Sequence, residues 1–342
     1  MSLRSAIEAV VEGREVPGEI LEESFREIME GEASPAAISA LLVGLRIKGE
    51  TVAEIVAAAR ACRRRAVMAE TIDRRAVDLC GTGGDGAETF NISTTAAFVV
   101  AGAGVPVAKH GNRAVSSRAG SIDVFEALGV EVELPVETSA QILSEVGIAP
   151  FFARIAHPAM RHVAPVRQEL GIRTLMNCLG PLLNPMGVHY QVVGVYDADL
   201  VERIAGALAE LGTERALVVH GSDGLDELTT TGPSSAAFVE RGQVQTLRVN
   251  PSDFGIPEAI AGSLRGGDAE QGAEILRAVL AGEAGARRDI VCLNAAAALW
   301  VAGAVDDLEE GVGVARRSID SGAAERCLRA LVEATRTVGS GR

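Results

Sequence analysis

Asp78 to Asp123 reads DLCGTGGDGAETFNISTTAAFVVAGAGVPVAKHGNRAVSSRAGSID, and it sets two phosphate-sized loops at the ends of two successive strands. The first loop, Gly81-Thr82-Gly83-Gly84-Asp85-Gly86, follows a strand-like Ala76–Cys80 and spells GxGxxG. A dinucleotide fingerprint would need an acidic residue about twenty positions on, to hold a ribose diol, and a helix opening on the third glycine. Neither is present: no acid lies between Glu88 and Asp123, and the apolar helix TTAAFVVAGAG is expected only after Asn91-Ile92-Ser93-Thr94. Asn91 and Ser93 are natural N-caps, and the first-turn N–H groups are expected to face an anion. The next strand, Val105–Lys109, runs into a second loop of cations, amides and hydroxyls: Lys109, His110, Gly111, Asn112, Arg113, Ser116, Ser117, Arg118 and Ser121.

The two loops are chemically complementary. Glycines let a backbone close on an anion, and consecutive turn N–H groups form a nest for phosphate oxygens. Lys109 adds a point charge, and the hydroxyls add rotatable donors. The donors suffice for two separated phosphate groups. No glycine in the segment is followed by Lys and then Ser or Thr, so a Walker A loop is excluded. A plain tight turn would use one or two glycines and has no need of the hydroxyl run. Far downstream, a buried strand Ala216–His220 leads into Gly221–Thr229, which carries Asp226-Glu227. Adjacent carboxylates at a strand end, beside phosphate loops, fit Mg²⁺, which takes one or two carboxylates plus phosphates and water.

Outward from this core, residues 1 to about 70 read as helices, with Ser34-Pro35 capping one and Thr51 opening another. Arg63-Arg64-Arg65 reads as a solvated helix end. Beyond Val77, strands and helices alternate: 76–80, 94–103, 105–109, 121–129, 131–133, 138–146, 149–152, then 191–195, 198–212 and 215–220. That pattern indicates a mainly parallel sheet. Strands near 236–239 and 244–248 follow, then helices over 268–281, 287–303, 305–319 and 321–336. The interruption at 157–187 holds His157 and His162, whose spacing of five does not align them on one helix face as a zinc pair; capping and hydrogen bonding are the expected roles.

Composition narrows the classes. The 342 residues suffice for one large or two ordinary domains. A net charge of −14 argues against nucleic-acid and membrane-surface partners. Cys62, Cys80, Cys178, Cys292 and Cys327 show no CxxC spacing and fit reduced thiols in a cytosol. Cys80 reads as a small buried hydrophobe. Early charges at Arg4, Glu8, Glu12 and Arg14 break any signal-peptide core, and no uninterrupted apolar run reaches membrane-spanning length.

DLCGTGGD, FNIST, VAKHGNRAVSS, GPLLNP and HGSDGLDE, in this order and spacing over nearly the whole chain, resemble the anthranilate phosphoribosyltransferase family of the nucleoside-phosphorylase-like phosphoribosyltransferase class. The resemblance implies a small all-helical domain (1–70, completed by a returning segment of about 166–187) and a large α/β domain (71–165 and 188–342) with a mainly parallel central sheet. It implies transfer of the phosphoribosyl group of 5-phosphoribosyl 1-diphosphate to the amino group of anthranilate, in tryptophan biosynthesis, in a cytoplasmic homodimer joined through the helical domain. By the same resemblance, Gly81, Gly84, Asp85, Thr89, Asn91, Ile92, Ser93 and Thr94 from the first loop hold the donor. Lys109, His110, Gly111, Asn112, Arg113, Ala114, Val115, Ser116, Ser117 and Ser121 hold it from the second. Gly81, Asn112 and Arg167 hold anthranilate, and Ser93, Asp226 and Glu227 hold Mg²⁺, two ions per monomer. A planar guanidinium can grip a carboxylate bidentately, which suits Arg167; its plain alternative is a surface ion pair with Glu169 or another acid. No general acid or base is assigned. Met176, Leu183 and Ile122 depart from the family pattern and put details of the anthranilate tunnel in question. Two rival readings are a fold-related pyrimidine nucleoside phosphorylase, whose loop is of the KHSTGG type, and a nucleic-acid-binding paralogue without activity, against which the acidic balance weighs.

Overall fold

The computed structural model describes residues 2–70, 75–114 and 118–339. The helical part comprises α1 (Ser2–Val11), α2 (Gly18–Met29), α3 (Pro35–Lys48) and α4 (Val52–Arg63). Ser34 caps α3 by accepting the Ala37 N–H, with Pro35 in the first helical position; Thr51 and Glu54 form a reciprocal capping box on α4. Such a cap contributes about 1 kcal/mol. Glu54 is fully buried and is held there by Lys48 Nζ at 2.8 Å and by the Val16 N–H at 2.9 Å. One carboxylate thus ties the end of α3, the start of α4 and the segment before α2. Arg63 corrects the expectation of a solvated helix end. Its Nε donates to the Leu182 carbonyl at 2.7 Å, while Arg64 and Arg65 pair with Glu22 and Glu30.

The chain then alternates through β1 (Val77–Gly81), α5 (Ile92–Gly102), β2 (Val107–Gly111), α6 (Ser121–Ala127), α7 (Val136–Val146) and β3 (Ile148–Phe152). It crosses through α8 (Ala153–Ala156), α9 (Ala164–Leu170) and α10 (Leu175–Leu179), and returns as β4 (Tyr190–Gly194), α11 (Leu200–Glu210) and β5 (Arg215–Gly221). β6 (Ser234–Glu240), β7 (Gln243–Val249), α12 (Ala269–Leu280), α13 (Ala286–Val301), α14 (Leu308–Asp320) and α15 (Ala323–Gly339) complete it. Among the described residues the strands form one seven-stranded sheet of order β3-β2-β1-β4-β5-β6-β7. The first five are parallel, and β6 and β7 extend it antiparallel. No strand forms at 131–133. Val130, Val132 and Leu134 are buried alternately, but the Glu131 N–H is taken by the Thr335 hydroxyl of α15 rather than by a neighbouring strand.

Alternation along the central strands divides the core in two. Val192, Leu217, Val219 and Ala236 face a core shared with α5, α13 and the C-terminal helices. Val193, Ala216, Val218, Ala237 and Val239 face a core shared with α11 and with α1–α4. Residues 163–183 of the crossing segment bury Val163, Val166, Leu175, Met176, Leu179 and Leu182 in the second core, against α3 and α4. Met176 and Leu183 are therefore core residues, and so is the fully buried Ile122 of the first core. Their departures from the family pattern alter packing in the two cores.

Candidate active site

In an open α/β sheet the ligand crevice lies outside the carboxyl ends of the strands where their order reverses. Here that point falls between β1 and β4, since successive strands run from β1 through β2 to β3 and β4 then adds on the other side. The last rung of the β1–β4 ladder pairs Gly81 with Gly194. A Cβ on Gly194 would overlap the Asp226 carbonyl, and one on Gly81 would overlap the Asp226 carboxylate. Two glycines thus clear a seat at the switch point, and the loop after β5 fills it. Gly194 carries no motif in the sequence and is visible only as part of this rung.

From that seat Asp226 accepts the Gly83 N–H on Oδ2 at 2.7 Å, and its neighbour Glu227 accepts the Ser93 N–H on Oε1 at 3.0 Å. Helix α5 starts at Ile92, two residues earlier than expected, and Asn91 does not cap it through its side chain. The Asn91 amide instead donates to the Ala119 carbonyl at 3.3 Å, joining the two loops. The first-turn N–H expected to face an anion is therefore occupied by a carboxylate of the chain itself. Burial pushes Asp226 up to about 7, with the charge of Asp85 adding to it, and pushes Glu227 up to about 8, with Asp226 adding to it. Lys109 and the Ser93 hydroxyl pull Glu227 the other way. Two adjacent half-buried carboxylates with the Ser93 hydroxyl beside them suit a divalent cation that completes its shell with phosphates and water, and such a cation would offset their charge. The residues thus fit Mg²⁺.

The second loop leaves β2. Lys109 is only 2% exposed, within electrostatic reach of Glu227 and Asp78. Ser121 opens α6 with its hydroxyl against Gly111. The Arg113 guanidinium is not brought to the crevice: it pairs with Glu126 and Asp123 and lies 5.5 Å over the Phe152 ring. The Ala114 N–H goes to Asp123 at 2.9 Å, and Asn112 Oδ1 accepts the Arg113 N–H. Val115, Ser116 and Ser117 lie outside the described residues. Thr89 bridges to Arg265, whereas Ile92 and Thr94 are buried beneath the helix start.

Arg167 stands half-buried on α9, and burial lowers its pKa; among the described residues no carboxylate pairs with it, and the alternative ion pair with Glu169 does not form. A desolvated guanidinium without a counter-ion is a receptor for an anion. Six residues on, Arg173 sits over the Tyr196 ring at 4.2 Å and against Gly84 of the first loop, a glycine held at φ +77°. It joins the crossing segment to the glycine loop, a contact that sequence spacing does not reveal.

His110 and His157 stack edge-on, with ring centroids 5.3 Å apart, while His162 packs on Gly31 at the end of α2. Capping and hydrogen bonding were the expected roles of His157. Its backbone does cap, donating to the Ala153 carbonyl at the end of α8 and accepting the Met160 N–H of the turn that follows, whereas its ring is buried with no hydrogen-bond partner in good geometry among the described residues. Burial lowers His110 to about 3 and His157 to about 4. The folded-state values lie below the unfolded value of about 6.5, so both rings add stability above pH 6.5, and that stability is lost as pH falls toward 4. Asp226 and Glu227, raised in the metal-free protein, act with the opposite sign, and a divalent cation held between them would remove that contribution. In Mg²⁺, stability is expected to fall between pH 6.5 and 5. Denaturant melts of His157→Phe should show that fall reduced by about 1 kcal/mol per pH unit; an unchanged slope would show that His157 is not the titrating group.

Comparisons with known proteins agree with this geometry. Residues 4–66 match the helical bundle domain of a glycosyl transferase family, and residues 73–325 match the a/b domain of that family. An anthranilate phosphoribosyltransferase of Moorella thermoacetica is 54% identical over 330 residues, covering 96% of this chain and 97% of that protein. The crystal structure of the Thermus thermophilus anthranilate phosphoribosyltransferase superposes with a TM-score of 0.91 at 44% identity, covering 97% of this chain and 99% of that one. The Saccharomyces cerevisiae enzyme, solved in complex with PRPP and Mg, gives 0.90 at 27% identity, with 98% of each chain covered. With both domain models matched in order and half of its residues shared across nearly its full length, the chain belongs to the anthranilate phosphoribosyltransferase family.

Proposed function

We infer from the family and from the crevice that this chain transfers the phosphoribosyl group of 5-phosphoribosyl 1-diphosphate to the amino group of anthranilate, releasing pyrophosphate, as a step of tryptophan biosynthesis. The single observation that carries the reading is the Gly81–Gly194 rung. It seats a carboxylate pair against a glycine loop and a helix N-terminus, where a diphosphate with its cation would lie. Neither rival reading has this support. The chain carries GTGGD and KHGN in place of a KHSTGG loop, and its net charge of −14 weighs against a nucleic-acid partner. Loss of anthranilate fluorescence on adding the donor and Mg²⁺ tests the assignment, and its persistence at micromolar enzyme would refute it.

The residue roles are part of the proposal. Gly81, Gly84, Asp85, Thr89, Asn91, Ser93, Thr94, Lys109, Ser117 and Ser121 hold the donor. Ser93, Asp226 and Glu227 hold Mg²⁺, two ions per monomer, and Gly81, Asn112 and Arg167 hold anthranilate. Mg²⁺ supplies positive charge beside the leaving diphosphate. Departure of the diphosphate from the anomeric carbon is loose and oxocarbenium-like, so the chain's own work is electrostatic and positional. Lys109 and the loop N–H groups stabilise charge on the leaving group, and Arg167 fixes the anthranilate carboxylate so that its nitrogen lies in line. No side chain is assigned as general base: the nitrogen can shed its proton after the new bond forms. Arg167→Ala is expected to raise the anthranilate KM at least tenfold, about 1.4 kcal/mol, with the donor KM nearly unchanged. Collapse of donor affinity instead would put Arg167 in the phosphate site.

We assign residues 1–70 and about 166–187 to the helical domain and the rest to the α/β domain, and we propose a cytoplasmic homodimer joined through the former. On α3 the inner face, Ile38, Leu41, Leu42 and Leu45, is buried, while Ala36, Ala40 and Ile47 remain exposed on one outer stripe with Val43 half-buried between them. Ile47 is 82% exposed, and Val11, on the neighbouring α1, is 76% exposed. Apolar surface of this kind marks an interface. Light scattering is expected to give twice 35.4 kDa, and Ile47→Asp to give monomer; a monomeric parent at micromolar concentration would overturn this. Among the described residues no helix is long and apolar enough to cross a membrane.

A further inference from the structure

β1 and β2 share a single rung, Val77 with Val107. On their other sides both continue to the end, β1 to Gly81↔Gly194 on β4 and β2 to Gly111↔Phe152 on β3. Beyond that rung the two strands run side by side without ladder bonds between them, at the edge that carries both loops. Backbone groups left open by such a gap must find partners when buried, and here two side chains supply them. Asp78, fully buried on β1, accepts the His110 N–H on Oδ1 at 3.2 Å and the Asn184 amide on Oδ2 at 2.8 Å. The same Asn184 nitrogen donates to the Ala108 carbonyl at 2.9 Å, and its Oδ1 accepts the Met186 N–H at 2.9 Å. A carboxylate and an amide thus stand in for the missing ladder bonds on either side of Lys109. Asn184 arrives on the crossing segment, which is itself tied down where the Pro181 carbonyl accepts from Gln191 and the Leu182 carbonyl from Arg63.

Lys109 is the residue caught between these bonds. Its side chain is buried, and its ammonium donates to the carbonyl of His110 at 3.5 Å, the same residue whose N–H Asp78 accepts.

We propose that Asp78 and Asn184 are positioning residues for Lys109: the buried couple bridges β1 and β2 where their ladder is interrupted and fixes the backbone on both sides of the lysine, so that its ammonium stays available to the donor phosphates. The inference rests on Lys109 being a donor ligand. Asp78 and Asn184 touch no substrate and act through the lysine and its loop.

The test is a double-mutant cycle on the full chain, reading Kd for the Mg²⁺-loaded donor by calorimetry, both KM values and thermal melts. Asp78→Asn and Asn184→Ala are each expected to raise the donor Kd and KM at least tenfold while the anthranilate KM stays within threefold. In a Lys109→Met background Asp78→Asn should worsen donor affinity less than twofold, because the residue it positions has gone. A donor Kd within twofold of the parent in Asp78→Asn, or the same fold loss with and without Lys109, would overturn the proposal and leave the couple a purely structural support. If Lys109→Met by itself leaves donor affinity intact, the donor-ligand reading fails first, which separates the two. Should Asp78→Asn not fold, Asn184→Ala, which keeps the Asp78 bond to His110, carries the same cycle.

Discussion

Glu227→Ala is expected to lower turnover at least a hundredfold, about 2.7 kcal/mol in barrier, without lowering the melting temperature of the metal-free protein. The two effects have one origin. Burial and the adjacent Asp226 raise Glu227 to about 8, so its charge costs free energy in the metal-free crevice and is useful only when a cation offsets it. Deleting it relieves that repulsion and leaves the Ser93 N–H, at a half-buried helix start, free to take water. Calorimetric titration with Mg²⁺ in the presence of pyrophosphate should show weakened metal uptake. Turnover within about tenfold of the parent would remove this carboxylate from the mechanism.

Gly194→Ala is expected to abolish activity from a position that touches no substrate. Gly194 is not in a left-handed conformation, so the glycine is required for space. A methyl group there meets the backbone of Asp226, which cannot swing aside as a side chain could. Overpacking of this kind costs about 1–3 kcal/mol, and here the displaced element is the loop that carries both carboxylates. The variant should melt lower and lose Mg²⁺ affinity together. Gly83→Ala is the contrast. At φ +67° with open space around it, it should cost conformational strain on the order of 1 kcal/mol while leaving the Asp226 seat in place. A Gly194→Ala variant that binds Mg²⁺ like the parent would show that Asp226 does not depend on the glycine rung.

Much of this site was legible in the order of residues. GTGGDG, KHGN and the Asp226-Glu227 pair each close a strand, and in a parallel sheet strand ends fall on one edge, so periodicity alone gathers them. Local errors came where backbone partners decide. Residues 131–133 alternate like a strand but find the Thr335 hydroxyl in place of a ladder, and α5 begins at Ile92 with its first turn held by Glu227, not by a cap. Arg63 looked solvated because its neighbours in sequence are charged, whereas its actual partner is a carbonyl 119 positions away.

The sequence by itself determined which chemistry is available: a nest of glycine N–H groups, a buried-strand lysine, hydroxyls and paired acids, together with the alternation that makes the sheet parallel. These are properties of short segments, and short segments carry them wherever they fold. Only the tertiary structure decided that Asp226 fills the space left by Gly81 and Gly194, that Arg173 reaches Gly84, and that Asp78 and Asn184 replace the ladder bonds between β1 and β2. Each of these joins residues separated by tens of positions or more than a hundred. Their contacts are set by which strand adds to which side of β1 and by where a crossing segment returns, and no local propensity encodes either.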